Sequence, residues 1–555
     1  MKQYIGKIFV ATVVVGALTL SSCSSDYLDT EPTESIDAST ALSTTENGYS
    51  ALNGVAKSMS TQQFQYTHGF AGENAIIRLY EDMPSQNWNY NGYASGWAPL
   101  HNQTFHNRNN VIYDSYAWFY YYQIIGQANR ILGAVDNMAG EQSDKNYIKA
   151  AAYTFRAYAF QKLALYYCYR WKDSNNGASQ GLVLRLDAST GDLGYSTLAE
   201  TYKQIYADCD SAVSLFGKSE HKRGGDEVWI PNVNVAHAVK ARAALNRLDY
   251  STALTEAKAA MDGYSLMSND EYAAGFYEPT SEWIMGSYAD ASENLWYWSF
   301  GTQEGCNGYY ASKTTNGTAT IGHELIQRIP NNDARKQLFL TADKLEGIDL
   351  TKAGALDSTY GYIGLKSSNG SVAISDKAAY AAAEKVVSQH QLSGVPAPYQ
   401  AGVYYLDAQF KFWVKALPGV GALPFIRASE MVLIQAEANY FLGNTADAQA
   451  NLVELNAQSG RNPSYTCDKT GDALFEEIKD YRELELWGEG FAWSDYKRWN
   501  IPVVRHSFKE GGNAHASVAV TIKPEDGNKW TWVVPQNETD YNQALKGDAT
   551  GSTPQ

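Results

Sequence analysis

Apolar residues recur at helical spacing through the first half of the chain. Ile124, Ala128, Ile131 and Val135 step by four, three and four, and Ala152, Phe155, Ala159, Leu163 and Tyr166 repeat the pattern. Each set lines one face of a helix that must be covered by a neighbour. Leu198, Tyr202, Ile205 and Cys209 predict another helix over 197–216. Two stretches then read as helical hairpins of the tetratricopeptide kind. In the first, Ala238, Ala241, Leu245 and Leu248 lead through Asp249-Tyr250 to Ala253, Ala257 and Ala260; in the second, Leu433, Ala436 and Tyr440 lead through Leu442-Gly443-Asn444 to Ala446, Ala450 and Val453. Small Ala side chains let paired helices approach closely, and Gly443 is placed to end its helix. Such hairpins need neighbours, so two of them far apart in sequence imply one shared scaffold with an insertion. From about 270 to 425 the texture changes to Gly, Ser, Asn and aromatic residues, with a strand-like Trp283-Ile284-Met285 and an Ala-rich helical piece near 376–388. That stretch reads as long loops laid over the scaffold, and loops of such length usually carry function. The predicted fold is mainly α: a tetratricopeptide-like helical-repeat scaffold, four hairpins in all, with a loop-rich, insert-bearing second half.

The N-terminus follows a different pattern. Lys2 and Lys7 precede an apolar run from Ile8 to Leu20, which closes on Leu20-Ser21-Ser22-Cys23. A basic start, a short apolar run and small residues describe a secretory signal over 1–22. The run is short for a bilayer span, and no later segment resembles one. Leu-Ser-Ser-Cys resembles the lipobox of bacterial lipoproteins, in which Cys23 would be lipidated and become the first residue. Residues 23–45 would then form a polar tether, and more than one acyl chain would hold the protein firmly at a membrane. The other cysteines, Cys168, Cys209, Cys306 and Cys467, form no CxxC pair and read as buried free thiols.

Composition narrows the chemistry. The chain has 555 residues, 44% of them hydrophobic, which is globular rather than disordered. Sixty acids against 44 bases give a formal charge of −16, a poor match to nucleic acid, which needs clustered cations. The chain has no HExxH, GxSxG, Walker or EF-hand pattern, so no catalytic group, metal or cofactor is indicated. A supporting calcium ion is left open. His101 and His106 read as polar surface rather than a ligand pair. The aromatic complement is 40 Tyr, 14 Trp and 18 Phe, so rings with a polar edge dominate. Many fall in the helical stripes 113–122 and 153–169 and read as core. Two other stretches combine flat rings with amide, hydroxyl and charged groups, the composition that stacks on a sugar and reads its hydroxyls. Residues 78–106 contain Arg78, Asp82, Trp88, Tyr90, Trp97 and Asn102. Residues 288–313 contain Trp296, Trp298, Glu304, Tyr309 and Tyr310.

A series of segments runs in order from residue 23 to 542. It begins with Cys23-Ser-Ser-Asp-Tyr-Leu-Asp-Thr-Glu-Pro32, then Trp118 to Tyr122, Ala128-Asn129-Arg130-Ile131-Leu132 and Phe155-Arg156-Ala157-Tyr158. It continues with Asn332-Asp333-Ala334-Arg335, Arg427-Ala-Ser-Glu430, Ala436-Glu437-Ala438 and Tyr481-Arg-Glu-Leu-Glu485. Trp487-Gly-Glu-Gly490, Asp495, Arg498 and a closing Pro535, Glu538 and Asn542 complete it. The series resembles the SusD/RagB family of outer-membrane nutrient-uptake lipoproteins. Two departures, at Tyr481-Arg482 and Phe491-Ala492, fall on a scaffold helix. The charged members of the series read as pairs between packed helices, not as catalytic groups. The resemblance implies SusD-like regions over 46–275 and 276–555 and an outward-facing lipoprotein at the outer membrane. It also implies non-catalytic capture of an oligo- or polysaccharide, and a SusC-like TonB-dependent transporter as partner. The glycan site has no family motif, so the aromatic candidates rest on composition alone. Two other readings stay open at this stage: a surface glycoside hydrolase, and a repeat scaffold or peptide-capture lipoprotein without a sugar site.

Overall fold

The computed structural model describes residues 41–62, 70–90, 97–288, 299–313, 319–368, 371–526 and 530–545. Cys23, the signal and most of the tether lie outside the described residues, as do Trp296 and Trp298. Among the described residues no helix is long and apolar enough to cross a membrane.

The principal helices are α1 Thr45–Ser58, α2 Ile112–Ala134, α3 Gln142–Tyr167, α4 Leu198–Phe216, α5 Val233–Asn246 and α6 Tyr250–Ala260, followed by α7 Lys377–Gln389, α8 Ala428–Phe441, α9 Thr445–Val453, α10 Gly471–Glu485 and α11 Ala492–Trp499. From α2 to α6 each packs on the next, and α8 packs on both α6 and α9. The two hairpins read from the Ala patterns, α5/α6 and α8/α9, thus stand side by side in one array despite the long insertion between them. Their facing residues Ala238, Ala241, Ala253, Ala257 and Ala260 have no solvent exposure.

Side chains mark the ends of these helices. Thr197 and Glu200 form a capping box at the start of α4, Asn232 accepts the amide of Val235 at the start of α5, and Asp249 accepts that of Thr252 at the start of α6. Gly443, just beyond α8, has φ +81°, the left-handed turn expected of it. The aromatic stripes on α2 and α3 are core: Tyr116, Trp118, Tyr121, Phe155, Tyr158 and Tyr166 are all buried.

The inserted half is more than loops draped on the helices. Cys306, Ile363, Tyr405, Phe410 and Trp413 belong to a second hydrophobic cluster, with α7 on its edge. Side chains satisfy the irregular backbone there: Asn307 donates to the carbonyls of Pro396 and Val414 and accepts the amide of Val414. The few strands are short. In two antiparallel pairs, β1 Trp88–Tyr90 joins β3 Ala319–Ile321, and β2 Trp283–Gly286 joins β4 Pro424–Arg427. Cys168, Cys209 and Cys306 are buried thiols, and Cys467 is half-buried and free.

The charged residues of the ordered series do form pairs. Arg427 donates to Glu282 at 2.6 Å, to Glu485 at 3.2 Å and to both oxygens of Glu489 at 2.7 and 2.8 Å. Lys411 reaches Glu489 at 2.6 Å, and Arg335 reaches Asp333 at 2.6 Å and Glu485 at 3.1 Å. Burial pushes the Glu485 carboxyl up, but Arg461, Arg427, Arg335 and Lys411 outweigh it and hold it at about 2. Separate pairs lock the helices: Arg156 to Asp208 joins α3 to α4, Arg242 to Glu430 joins α5 to α8, and Arg498 bridges Glu437 of α8 and Asp495 within α11. Arg427→Met would leave three buried carboxylates short of a partner, at a cost of about 3–5 kcal/mol. Lys415→Ala, which removes an exposed pair with Glu278, is expected to cost under about 1 kcal/mol. Urea unfolding of the two variants measures both, and equal small effects would count against the buried network.

Candidate glycan site

The candidate site is where the two aromatic-rich stretches meet. A short helix Gly72–Ile76 continues as a wider π-helical turn, Ile77–Asp82, whose side chains are all buried. This places Arg78 and Asp82 inside the protein rather than on its surface. In the second stretch, Ser299 caps the short helix Phe300–Glu304 by accepting the amide of Thr302. Arg78 and Glu304 approach to 3.8 Å, and the Arg78 guanidinium lies over the Trp97 ring, 4.9 Å from its centroid. Trp97 directly follows segment 91–96, and Ser299 directly follows segment 289–298. One arginine therefore ties together the anchors of both segments.

Two further rings fix those anchors. Trp88 stacks on Trp487 at 4.5 Å and 25°, and Phe300 packs edge-on against Phe412 at 5.1 Å. Gly488 lies beneath both. It has φ +76°, and a Cβ there would fall 2.4 Å from the Phe412 ring and 2.8 Å from Trp88. The glycine of the Trp487-Gly-Glu-Gly490 segment is thus required by conformation and by space.

The structure corrects several expectations of exposure. Trp88 is 1% exposed and Arg78 and Asp82 are 2% exposed, so none presents a face to a ligand. Trp88 is a core ring because its partner Trp487 arrives from far along the chain. Arg78 and Asp82 are buried because the π-turn is enclosed on all sides. His101 and His106 are also buried, not surface groups, and burial lowers them to about 3 and about 4. Trp97, Asn102, Tyr309 and Tyr310 are half-buried. Asn102 donates to the carbonyl of Ser517 at 3.1 Å, and Tyr309 and Tyr310 meet edge to face at 5.7 Å. Tyr90 closes β1; its side chain is outside the described residues. The sequence candidates that are not fully buried are therefore Trp97, Asn102, Tyr309 and Tyr310. Strand β1 also carries a polar chain that sequence reasoning did not resolve: Asn89 donates to Asn513 at 2.7 Å, Asn513 to Asp407 at 3.0 Å, and His323 pairs with Asp407 at 2.7 Å.

Glu304 is fully buried, and neither carboxylate oxygen has a hydrogen-bond partner among the described residues. Burial raises it to about 7, with Arg78 pulling the other way. Asp82 is raised well above the ordinary range, by burial first and then by Glu81 and Glu304. Neither carboxyl has an exposed edge. Among the described residues no group of three or more His, Cys, Asp or Glu is arranged to hold a metal.

A family model described as "Starch-binding associating with outer membrane" matches residues 26–245, and one described as "SusD family" matches residues 419–550. Similar solved structures include a SusD-like carbohydrate binding protein from Bacteroides vulgatus ATCC 8482, with TM-score 0.67 and 20% identity over 91% of this chain and 98% of that one. A putative sugar binding protein from the same organism gives TM-score 0.65 and 21% identity over 91% and 98%. A laminarin binding SusD-like protein gives 0.57 and 18% over 82% and 91%. At these identities the likeness is one of fold. A comparison with curated proteins gave no match.

The raised Glu304 carboxyl has a stability consequence. Below about pH 4.5 it is protonated in both folded and unfolded chains. Between about 4.5 and 7 the unfolded chain ionises first, so this group takes stability away as pH rises. Glu304→Gln keeps the shape without the charge. The stability of the variant relative to wild type is expected to climb from pH 5 to pH 8, by at most about 3 kcal/mol. A difference that stays flat with pH, followed by urea unfolding, would contradict this assignment.

Proposed function

Since the chain belongs to the SusD/RagB family, we propose that it is a cell-surface lipoprotein that captures an oligo- or polysaccharide without cleaving it. It passes the glycan to a SusC-like TonB-dependent transporter. The observation that carries this reading is the convergence at Arg78, which brings together at one corner the residues that follow the two segments, Trp97 and the helix ending at Glu304. Sugar C–H faces stack on flat rings and sugar hydroxyls need amide and hydroxyl partners. Trp97, Tyr309, Tyr310 and Asn102 supply both kinds of group at that corner. Trp296 and Trp298 belong to segment 289–298 and are assigned to the same ligand surface by sequence position alone.

The matching family description names starch and the outer membrane, and one relative of the same fold is described as laminarin binding. Both support a glycan ligand and the first also a membrane address; the lipid anchor at Cys23 rests on the N-terminal sequence alone. A glycosidase needs a carboxyl at the sugar. The two strongly raised carboxyls at this corner, Asp82 and Glu304, are enclosed instead, which favours binding over cleavage.

A glycan array probed with the soluble form tests the reading. A ligand is expected, with no reducing ends released from it. Trp97→Ala is expected to weaken binding about tenfold or more, the scale of one lost stacking contact with its flanking groups. Trp88→Ala should instead destabilise the fold by about 3–5 kcal/mol, as loss of a core ring does. Binding unchanged by Trp97→Ala and by Tyr309→Ala with Tyr310→Ala would move the site elsewhere, and turnover abolished by one carboxylate change would make the protein an enzyme. Mild extraction from membranes is expected to bring the transporter with the full-length chain; recovery without it would contradict the delivery step.

A further inference from the structure

Strand β3 is held along both edges. Along one, Trp88 of β1 stands opposite Ile321 and Tyr90 opposite Ala319. Along the other, Ile321 donates its amide to the carbonyl of Asp407 at 3.1 Å, and Gln409 donates to that of Ala319 at 3.3 Å. Both strands adjoin the aromatic-rich segments. β1 ends at Tyr90, directly before segment 91–96, and β3 is the first described element after the short helix Tyr309–Lys313.

One side-chain cluster joins these pieces where β3 ends. Asp407 is fully buried, and one of its oxygens, Oδ2, accepts from His323 Nδ1 at 2.7 Å and from the Asn513 amide at 3.0 Å. Its other oxygen has no hydrogen-bond partner. Asn513 also donates to the carbonyl of Ile321 at 2.7 Å. The Asn513 side-chain oxygen accepts the backbone amide of His323 at 3.1 Å and the side chain of Asn89 at 2.7 Å. β1, the end of β3, the Asp407 segment and the loop carrying Asn513 therefore meet at one buried carboxylate.

A buried carboxylate needs a compensating charge, because the interior does not solvate it. Lys336 lies near both Asp407 and His323, and Lys344 lies near Asp407. Both ammonium groups are spent on backbone carbonyls, Lys336 on Ile329 at 2.9 Å and Lys344 on Lys336, Gln337 and Phe339. Glu324, next to His323, adds negative charge and pairs with His506 at the surface. Among the described residues His323 is thus the only cation hydrogen-bonded to Asp407. Its ring is 25% exposed, so it exchanges its proton with solvent. The imidazolium compensates Asp407; the neutral ring can still donate from Nδ1 but brings no charge.

We propose that His323 is a positioning residue whose proton fastens β1 and β3, so that glycan capture on the adjoining segments weakens as His323 is deprotonated. The effect on capture rests on the glycan reading above; the hold on the strands does not. The bond to Asp407 raises the His323 pKa above its ordinary 6.5, burial pulling the other way. Burial raises the Asp407 carboxyl, and His323 is the first of the groups that pull it back down. With the folded His323 value above the unfolded one, the stabilisation is complete below about pH 6.5 and is lost as pH rises through the folded value.

Hydrogen–deuterium exchange on the soluble full chain tests the hold on the strands. Wild type and His323→Gln are compared at the same pH, so that intrinsic exchange cancels. Gln keeps a neutral donor toward Asp407 and removes the charge, on a side chain exposed enough to leave the fold intact. At pH 5.5, peptides spanning 84–90 and 319–326 are expected to exchange about threefold or more faster in the variant, and at pH 9 the two proteins should agree. Titration calorimetry with the strongest glycan-array ligand then reads the site. Wild-type affinity is expected to fall about threefold or more from pH 5.5 to pH 9, and that of His323→Gln to stay near the high-pH wild-type level throughout. Equal exchange at pH 5.5, an exchange difference that does not change with pH, or a wild-type affinity that is flat with pH would each overturn the proposal. A chain that binds no array glycan at any pH would sink the glycan reading instead, and the exchange comparison alone would then uphold or overturn the hold of His323 on the strands.

Discussion

The structure depends on the burial of Arg427 among Glu282, Glu485 and Glu489. Taking four charges out of water is expensive, and the cost is offset only where every partner arrives in register. Glu282 precedes strand β2, Arg427 ends strand β4 and leads into α8, and Glu485 closes α10. The network therefore admits one arrangement of the inserted half against the helical array. Lys411 and Arg335 extend it, Lys411 beside the Phe276 and Phe412 rings and Arg335 over the Tyr481 ring. These charges contribute specificity of docking more than net stability, and the Ala-lined helix contacts supply the apolar burial.

From that hub the order passes outward to the candidate site in two short steps. Glu489 and Trp487 flank Gly488, and Lys411 holds the carbonyl of Trp487 at 2.8 Å as well as the Glu489 carboxylate. Trp487 then stacks on Trp88 and donates its indole N–H to the carbonyl of Asn87, which fixes β1. Phe412, next to Lys411, packs on Phe300 and fixes the helix that ends in Glu304. Arg78 closes the circuit between Glu304 and Trp97. Trp97 and the helix Phe300–Glu304 are thus tied to one buried polar frame. For the glycan binding proposed above, such preorganisation lowers the ordering cost.

The helical half was legible in the sequence because its signals are local. Four-three-four apolar steps, facing Ala residues and Gly443 each act within a few residues, and each appears where expected; the caps at Thr197 and Asp249, equally local, emerge only in the structure. The charged residues Arg427, Glu430, Glu437, Glu485 and Arg498 were legible as a class, since charges on apolar stripes must pair. Which partner each would take was not, because Arg427 meets Glu282 and Glu489 only after the insertion has folded back. The same limit applies to the candidate site. Trp88 carries the composition of a sugar-stacking ring, but Trp487 and Gly488, far along the chain, turn it into core. Trp97, Tyr309 and Tyr310 carry the same composition and end half-buried, an outcome that local pattern does not distinguish from that of Trp88. The own core of the inserted half, around Tyr405 and Phe410, gives no periodic signal because its side chains come from irregular backbone.

The central claim is that one frame, centred on Arg427 and relayed through Trp487 and Phe412, presents both aromatic-rich segments as a single ligand surface. Hydrogen–deuterium exchange with and without the best-binding array glycan tests it most directly. The account predicts new protection together in peptides spanning 91–102 and 289–313, with α5–α6 and α8–α9 unchanged. Protection confined to one of the two segments, or appearing on the helical hairpins instead, would contradict it.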